Sequence, residues 1–174
     1  MVDRKKLDEI ILRDHGNNWW NPDLFHENTL ALLPAELEIV QIPPENTYNY
    51  NCFLYVLNLY NDQEIIKDCK GFLQDTFFQK MIDLGELEKT DNPMDGDYIA
   101  YQDLKRYPTL ITHVGVVNGA KVVSKWAWGP LIRHDIWDVP DSYGETMWYI
   151  KSISNEKAKE LYWKYKEFNL INKL

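Results

Sequence analysis

Apolar and polar positions follow a helical period in the first half of the chain. Residues 3–15 place apolar side chains three and four positions apart among charged ones, which predicts a helix that begins at Asp3 and stops at Gly16. Residues 24–33 predict a second short helix. Residues 36–42 alternate polar and apolar side chains instead, so we expect a short strand there.

The middle of the chain predicts two further helices. A loop rich in tyrosine and asparagine leads directly into an apolar stretch that starts at Cys52. Apolar side chains at spacings of three and four predict a buried helix from Cys52 to about residue 60. The polar residues 61–64 are expected to break it. Another helix is predicted within residues 72–84, with Gly85 as its cap.

In the second half of the chain the spacing of apolar positions changes to the two-residue period of strands. Asn118-Gly119 is the strongest hairpin signal in the sequence. Short apolar stretches that predict strands cover residues 98–101, 112–117, 121–126, 131–136 and 147–150. Residues 155–168 predict a C-terminal helix with one apolar face. Because helices come first and strands second, the predicted class is α+β, with the Cys52 helix packed on an antiparallel sheet.

Composition narrows the class of protein. The length of 174 residues and hydrophobic content of 45% suit one domain, residues 1–174, with a real core. The net charge of −8 argues against a nucleic-acid partner, which usually requires a basic patch. No apolar stretch reaches the roughly 18 residues of a membrane span. Since residues 1–9 show no apolar signal core, a cytoplasmic location is expected, and delivery as an effector stays open.

Cysteine and histidine usage predicts neither a disulfide scaffold nor a metal centre. The chain has 2 cysteines, Cys52 and Cys69, and 4 histidines. So few cysteines suggest reduced thiols. No close metal-ligand spacing joins these residues, so we expect no metal and no cofactor. Cys69 lies in a charged stretch without a matching histidine, and a structural role is expected for it.

Cys52 and His113 have the residue types and positions of a thiol-dependent enzyme. Cys52 is predicted at a helix start and His113 at a strand start, where a helix N-terminus and a nearby imidazolium would lower the pKa of the thiol. Cys52 would attack, His113 would act as general base and then acid, and the Cys52 N–H would stabilise the oxyanion. Ser124 and Lys125 are the candidates for orienting the imidazole. Alternation puts only one of them on the His113 face, and Ser124 is favoured.

Five short motifs, in order, resemble the NlpC-type, papain-like cysteine peptidases, and in particular a poorly characterised bacterial branch of them. The motifs are Tyr50-Asn51-Cys52, His113-Val114, Ser124-Lys125-Trp126 with Gly129, His134, and Tyr143-Gly144. The resemblance covers about residues 35–150. It implies a papain-like fold, with residues 1–34 as an N-terminal helical extension and residues 154–170 as a C-terminal helix.

The resemblance also implies roles for the motif residues. Cys52, His113 and Ser124 would form the catalytic set, and Tyr50 and Asn51 would support the oxyanion. Lys125 and His134 are secondary candidates, and His134 is otherwise expected to bond to backbone near a sheet edge. Three positions depart from the better-studied peptidases: Asn51 stands where they usually have Asp, Phe53-Leu54 replaces a small pair, and Ser124 replaces a His, Asn or Gln.

Three functions are consistent with these residues. The first is a cysteine hydrolase or transferase that acts on an amide, isopeptide or acyl bond of a protein or peptide substrate. The second is an inactive binding or immunity-type module on the same fold, for which the acidic charge suggests a protein partner. The third is an effector or toxin that modifies a host protein, for example by deamidation.

Overall fold

A computed structural model describes residues 2–12, 33–41, 50–127 and 129–169. These ranges hold five α-helices: α1 (Arg4–Leu12), α2 (Cys52–Val56), α3 (Gln63–Cys69), α4 (Asp75–Asp83) and α5 (Asn155–Tyr165). The strands are β1 (Glu38–Gln41), β2 (Lys89–Thr90), β3 (Tyr98–Gln102), β4 (His113–Asn118), β5 (Lys121–Lys125), β6 (Leu131–His134) and β7 (Thr146–Ile150). Short 3₁₀ turns cover Asp141–Tyr143 and Lys166–Asn169.

The seven strands form one antiparallel sheet in the order β1-β6-β5-β4-β3-β7-β2. The prediction of a mixed helix and strand protein with an antiparallel sheet is therefore confirmed. None of the described helices has the length and apolar character needed to cross a membrane. The predicted helix within residues 24–33 and the predicted stop at Gly16 fall outside the described residues.

The helix that starts at Cys52 is shorter than its apolar spacing predicts. α2 ends at Val56, and Asn58 adopts a left-handed φ of 54°. The amide of Leu59 then bonds to the carbonyl of Leu54 at 2.9 Å, which closes the helix end. The predicted break near residue 62 also begins a helix that the sequence reasoning missed. There the Asp62 carboxylate caps α3 by accepting from the amides of Glu64 and Ile65, each at 3.1 Å.

The β4–β5 hairpin has the predicted turn and fixes which side chains share a face. Gly119 has a φ of 62°, which suits the Asn-Gly turn, and Val117 pairs with Val122. Alternation from this pair puts His113 and Ser124 on one face of the sheet and Lys125 on the other. His113 and Ser124 therefore share a face as expected, but Lys125 rather than Ser124 lies on the face that carries Cys52, so the expectation that Ser124 faces Cys52 is wrong.

Each face of the sheet carries its own core. One core, which we call the α2 face, contains Cys52, Val114 and Ala100 together with apolar residues of α3, α4 and α5. The other, the α1 face, contains Leu7 of α1 with Tyr101 and Trp126. At the start of β4, Val114 belongs to the α2-face core, whereas the ring of His113 lies beside Tyr101 of the α1-face core.

Candidate functional site

Asn51 determines where the Cys52 helix starts. Its side-chain Oδ1 accepts from the Leu54 amide at 3.3 Å, which is an N-cap, and from the Leu73 amide at 3.4 Å. Its Nδ2 donates to the Leu73 carbonyl at 2.7 Å. Asn51 therefore joins the start of α2 to the segment between α3 and α4. This support is structural, and it differs from the oxyanion role that the resemblance implies.

The Cys52 thiol is buried beneath the sheet. Burial raises its pKa to about 12, while the backbone N–H groups of Val114, Phe53 and Cys52 act in the opposite direction. The sequence predicts a lowered pKa, and the direction is wrong because the loss of solvation outweighs the three amides. The thiol is accordingly protonated at neutral pH.

His113 is enclosed by aromatic rings on the α1 face. Its imidazole stacks on Tyr143 with ring centroids 3.8 Å apart and an interplanar angle of 14°, and the Tyr101 ring lies at 5.8 Å. Burial, and secondly the electrostatic effect of His134, hold the pKa of His113 well below its usual value. Within the described part of the chain, His113 Nε2 is a buried polar atom without a hydrogen-bond partner.

Cys52 and His113 meet at the start of β4 from opposite faces of the sheet. The thiol lies against the amide of Val114, the residue that directly follows His113. Tyr143 stacks on His113. Burial raises the pKa of the Tyr143 hydroxyl, and the electrostatic effect of the nearby Cys52 thiol raises it further. The two predicted residues therefore share one neighbourhood, while Nε2 of His113 makes no hydrogen bond to the thiol.

Ser124 contacts a different histidine from the one predicted. Its hydroxyl lies 2.8 Å from His134 Nε2, and it accepts from Trp126 Nε1 at 3.0 Å. The direct role of Ser124 in orienting His113 is not seen, because the β5–β6 register brings His134 to the same face as Ser124. His134 bonds through Nδ1 to the Asp135 carbonyl at 2.8 Å, which is the backbone contact expected from the sequence.

Lys125 lies on the α2 face and is 1% exposed. Its Nζ donates to the Gly129 carbonyl and lies 4.9 Å from the centroid of the Tyr50 ring. Burial lowers the pKa of Lys125 to about 7 and raises that of Tyr50 above its ordinary value. The Tyr50 ring also stacks on the Tyr60 ring with centroids 4.8 Å apart, so Tyr50 packs at the N-terminal end of α2.

Tyr143 is the site residue that sequence reasoning left without a role. Its only sequence signal was the Tyr143-Gly144 motif. Gly144 has a φ of 109°, and a Cβ there would lie 2.1 Å from the backbone of Gln102. Only glycine fits this close approach, and the resulting loop path presents the Tyr143 ring to His113.

No group of three or more His, Cys, Asp or Glu side chains suited to a metal ion occurs among the described residues. Comparisons of the chain with protein-family models, with curated proteins and with solved structures found no match.

Proposed function

We propose that the protein is a papain-like cysteine hydrolase or transferase that acts on an amide, isopeptide or acyl bond. Cys52 is the nucleophile and His113 is the general base. Tyr143 carries this proposal, because its ring stacks on the His113 imidazole with centroids 3.8 Å apart while its hydroxyl interacts electrostatically with the Cys52 thiol. The substrate class in this proposal is a protein or peptide.

The protonation states favour general-base catalysis over a resting ion pair. The pKa of Cys52 is raised to about 12 and that of His113 is lowered, so both groups are neutral at pH 7. The thiol proton passes to the imidazole while the sulfur–carbon bond forms at the substrate carbonyl. The tetrahedral intermediate then expels the amine or alkoxide, which takes the proton from His113. Water, deprotonated by His113, finally attacks the thioester; the sulfur–carbon bond breaks, the acyl group leaves as a carboxylic acid, and the Cys52 sulfur takes the proton back from His113.

The Val114 amide supplies electrostatic support at the reacting centre. It already acts on the sulfur by lowering its pKa against the effect of burial. A backbone N–H that is fixed in a strand needs no reorganisation when negative charge develops nearby. In this proposal the Val114 N–H stabilises the charge that develops at the thiol and the attacked carbonyl.

A second candidate is a binding module that keeps the fold without turnover. The burial of Cys52 favours it, because a buried cysteine usually packs as a small hydrophobe. For such a module, Cys52→Ser would place a hydroxyl in the core and reduce the free energy of unfolding by roughly 1–3 kcal/mol.

An acyl-transfer burst tests the enzyme directly. The full chain is mixed with p-nitrophenyl acetate at pH 7.5, and released nitrophenol is followed while mass spectrometry locates the acetyl group. We expect a burst of one equivalent, with a thioester on Cys52. His113→Ala should slow the burst about 10²–10⁴-fold, since it removes the general base.

Cys69→Ala provides the matched control. Cys69 is the other buried free cysteine, and its pKa is also raised by burial. The Cys69→Ala variant should keep the full burst, whereas Cys52→Ala should lose it. No burst from the wild type, or an acetyl group on Cys69, would contradict the enzyme and leave the binding module as the supported function.

A further inference from the structure

The outer edge of β7 is only partly covered by β2. The short strand β2 pairs with β7 at two positions, Tyr149 and Ile150, and it is the last strand in the sheet order. On its inner side, β7 pairs with β3 along its whole length. No described strand therefore lies beside Thr146–Trp148 on the outer side of β7, and these three residues are half-buried. An uncovered edge of this kind is a template on which another strand can pair.

The backbone groups of Met147 point to this outer side. In an antiparallel sheet, the N–H and C=O groups of successive residues are directed alternately to the two neighbouring strands. The Lys151 amide bonds to the Glu88 carbonyl at 2.8 Å, so Lys151 faces the β2 side of β7. Counting back in steps of two puts the N–H and C=O of Met147 on the same side, beyond the end of β2. An extended peptide can pair with them there as an added strand.

A cavity of about 330 Å³ lies beside the same edge, on the α2 face of the sheet. It is lined by Trp148 of β7, Gln102 of β3 and Lys89 of β2, together with residues of α4 and of the loop that follows β3. The Trp148 side chain packs against the core of the α2 face. In a strand paired with Met147, the residue opposite Trp148 has its side chain on the same face, because directly opposed residues share a face. That side chain therefore enters the cavity.

The loop that follows β3 is held in place by its own hydrogen bonds. The Asp103 carboxylate accepts from the amides of Lys105 and Arg106 at 3.1 and 2.9 Å. Gln102 Nε2 donates to the Pro108 carbonyl at 2.7 Å, which fixes both a lining side chain and the loop beside it. A ligand at this cavity therefore meets a preformed wall and has little ordering to offset. The two basic residues of the loop are exposed.

Two observations on the lining favour an acidic side chain in the cavity. Lys89 Nζ lies 4.4 Å from the centroid of the Trp148 ring, and Lys89 makes no ion pair within the described residues. In the same part of the chain, Trp148 Nε1 is a buried donor without a hydrogen-bond partner. A carboxylate supplies both a counter-charge and an acceptor. Asp83, the acidic residue of the lining, already accepts from Gln79 Nε2 at 2.9 Å.

We infer that the edge of β7 beyond β2 binds an extended, acidic segment of a partner protein. The segment pairs with Met147 and places an aspartate or glutamate side chain in the cavity beside Lys89. The net charge of −8 opposes such a segment at long range, but physiological salt screens that repulsion beyond roughly 8 Å, whereas Lys89 acts at contact. The inference is independent of the proposed reaction at Cys52.

Amide hydrogen exchange tests the open edge on the full chain without a ligand. The Trp148 N–H faces β3 and should be protected, whereas the Met147 N–H should exchange at least about 10²-fold faster. Protection of Met147 at every protein concentration would mean that the edge is already covered, and it overturns the inference. Protection that increases with protein concentration identifies a second copy of the chain as the occupant, and this result overturns it too.

Short peptides test the chemistry of the partner. Fluorescein-labelled Thr-Val-Glu-Val-Thr is titrated with the full chain and followed by anisotropy, beside the same peptide with Gln or Lys at its centre. The Glu peptide should bind at least about 5-fold tighter than the Gln peptide and should slow exchange of the Met147 amide. N-methylation of both valines removes backbone donors and should abolish binding. Equal binding of the three peptides, or no binding of the Glu peptide up to about 1 mM, contradicts the inference.

Lys89→Gln locates the charge that selects the peptide. This variant should bind the Glu peptide only as well as the Gln peptide, and its affinity for the Gln peptide should not change. Lys67→Gln is the matched control, because it removes the same charge from an exposed position on α3. It should bind both peptides as the wild type does. Equal losses in the two variants would show that net charge, rather than the cavity, sets the preference, and the acidic docking site would be wrong.

Discussion

Two ionisable side chains on the α2 face have pKa values displaced in opposite directions by the same cause. Burial disfavours the charged form of each group, so the pKa of the Cys52 thiol rises and that of the Lys125 ammonium falls. Each residue therefore has a different pKa in the folded state than in the unfolded state. The free energy of unfolding must therefore depend on pH through both residues, over different ranges.

Lys125 should make the protein more stable as pH rises from 7 to 9. The pKa of its ammonium is about 7 in the folded state against 10.5 as the ordinary value, so the unfolded state binds more protons over this range. The free energy of unfolding then increases by up to about 1.4 kcal/mol per pH unit. Urea titrations of wild type and Lys125→Met at pH 7, 8 and 9 should show this slope as a growing difference. Parallel pH profiles for the two proteins would show that Lys125 keeps its ordinary pKa.

Cys52 should have the opposite effect at higher pH. The pKa of the thiol is about 12 in the folded state against an ordinary value of 9.0, so above pH 9 the folded state retains a proton that the unfolded state has lost. Wild type should lose up to about 1.4 kcal/mol of unfolding free energy per pH unit more than Cys52→Ala between pH 9 and 10.5. The measurement is again urea unfolding, with Cys69→Ala for comparison. A wild-type slope equal to that of Cys52→Ala would mean that the thiol ionises while folded.

At the scale of elements, one side chain determines the start of α2. Asn51 caps the helix and makes two hydrogen bonds to the backbone of Leu73, all buried. Asn51→Ala should therefore reduce the free energy of unfolding by about 2–3 kcal/mol, combining a lost cap with unsatisfied backbone groups. Thermal or urea unfolding checks this value.

Gln74 provides the control for Asn51. It is the N-cap residue of α4, yet its side chain makes no capping hydrogen bond. Gln74→Ala should change the free energy of unfolding by less than about 0.5 kcal/mol, as most surface substitutions do. Equal losses from the two variants would show that Asn51 is not a specific cap.

Elements set by local chemistry could be predicted from the sequence. The β4–β5 hairpin follows from Asn118-Gly119 and from alternating side chains on both sides, and the start of α2 follows from an asparagine before an apolar stretch. Both signals lie within a few residues of the structure that they determine. They predicted the turn, the strand pairing and the face shared by His113 and Ser124.

Properties set by distant parts of the chain could not be predicted. The partner of Ser124 depends on the register of β6, which brings His134 rather than His113 within hydrogen-bond distance. The pKa of Cys52 depends on burial by helices that follow it in the chain. The end of α2 depends on a left-handed Asn58, a conformation for which the usual signal is glycine. Two-residue β2 gave no periodicity to detect.

For the whole molecule, Arg4 holds the first helix against the loop that carries Tyr143. Its guanidinium donates to the carbonyls of Val139, Pro140 and Gly144 and lies 5.5 Å from the Trp137 ring. A planar guanidinium can serve several carbonyls at once, and a lysine cannot. Arg4→Lys should therefore lower the free energy of unfolding by about 2 kcal/mol.

Hydrogen exchange extends this prediction to the site. Loss of the Arg4 contacts should speed amide exchange at Tyr143 and Gly144, because their loop loses its hydrogen bonds to α1. Lys5→Ala alters an exposed neighbour on the same helix and should leave both exchange and stability unchanged. Normal protection of Tyr143 in Arg4→Lys would show that the loop is held by other contacts.

The pairing of β1 with β6 has a consequence for biosynthesis. Glu38 lies opposite Arg133, so the edge of the sheet joins segments that leave the ribosome far apart in time. Because synthesis adds about 5–20 residues per second, β1 is made roughly 5–20 s before its partner strand. Strands β3, β4 and β5 pair with neighbours in sequence and can assemble during that interval. The nascent chain therefore carries β1 unpaired for about half of its synthesis, which makes β1 the segment that a chaperone would protect.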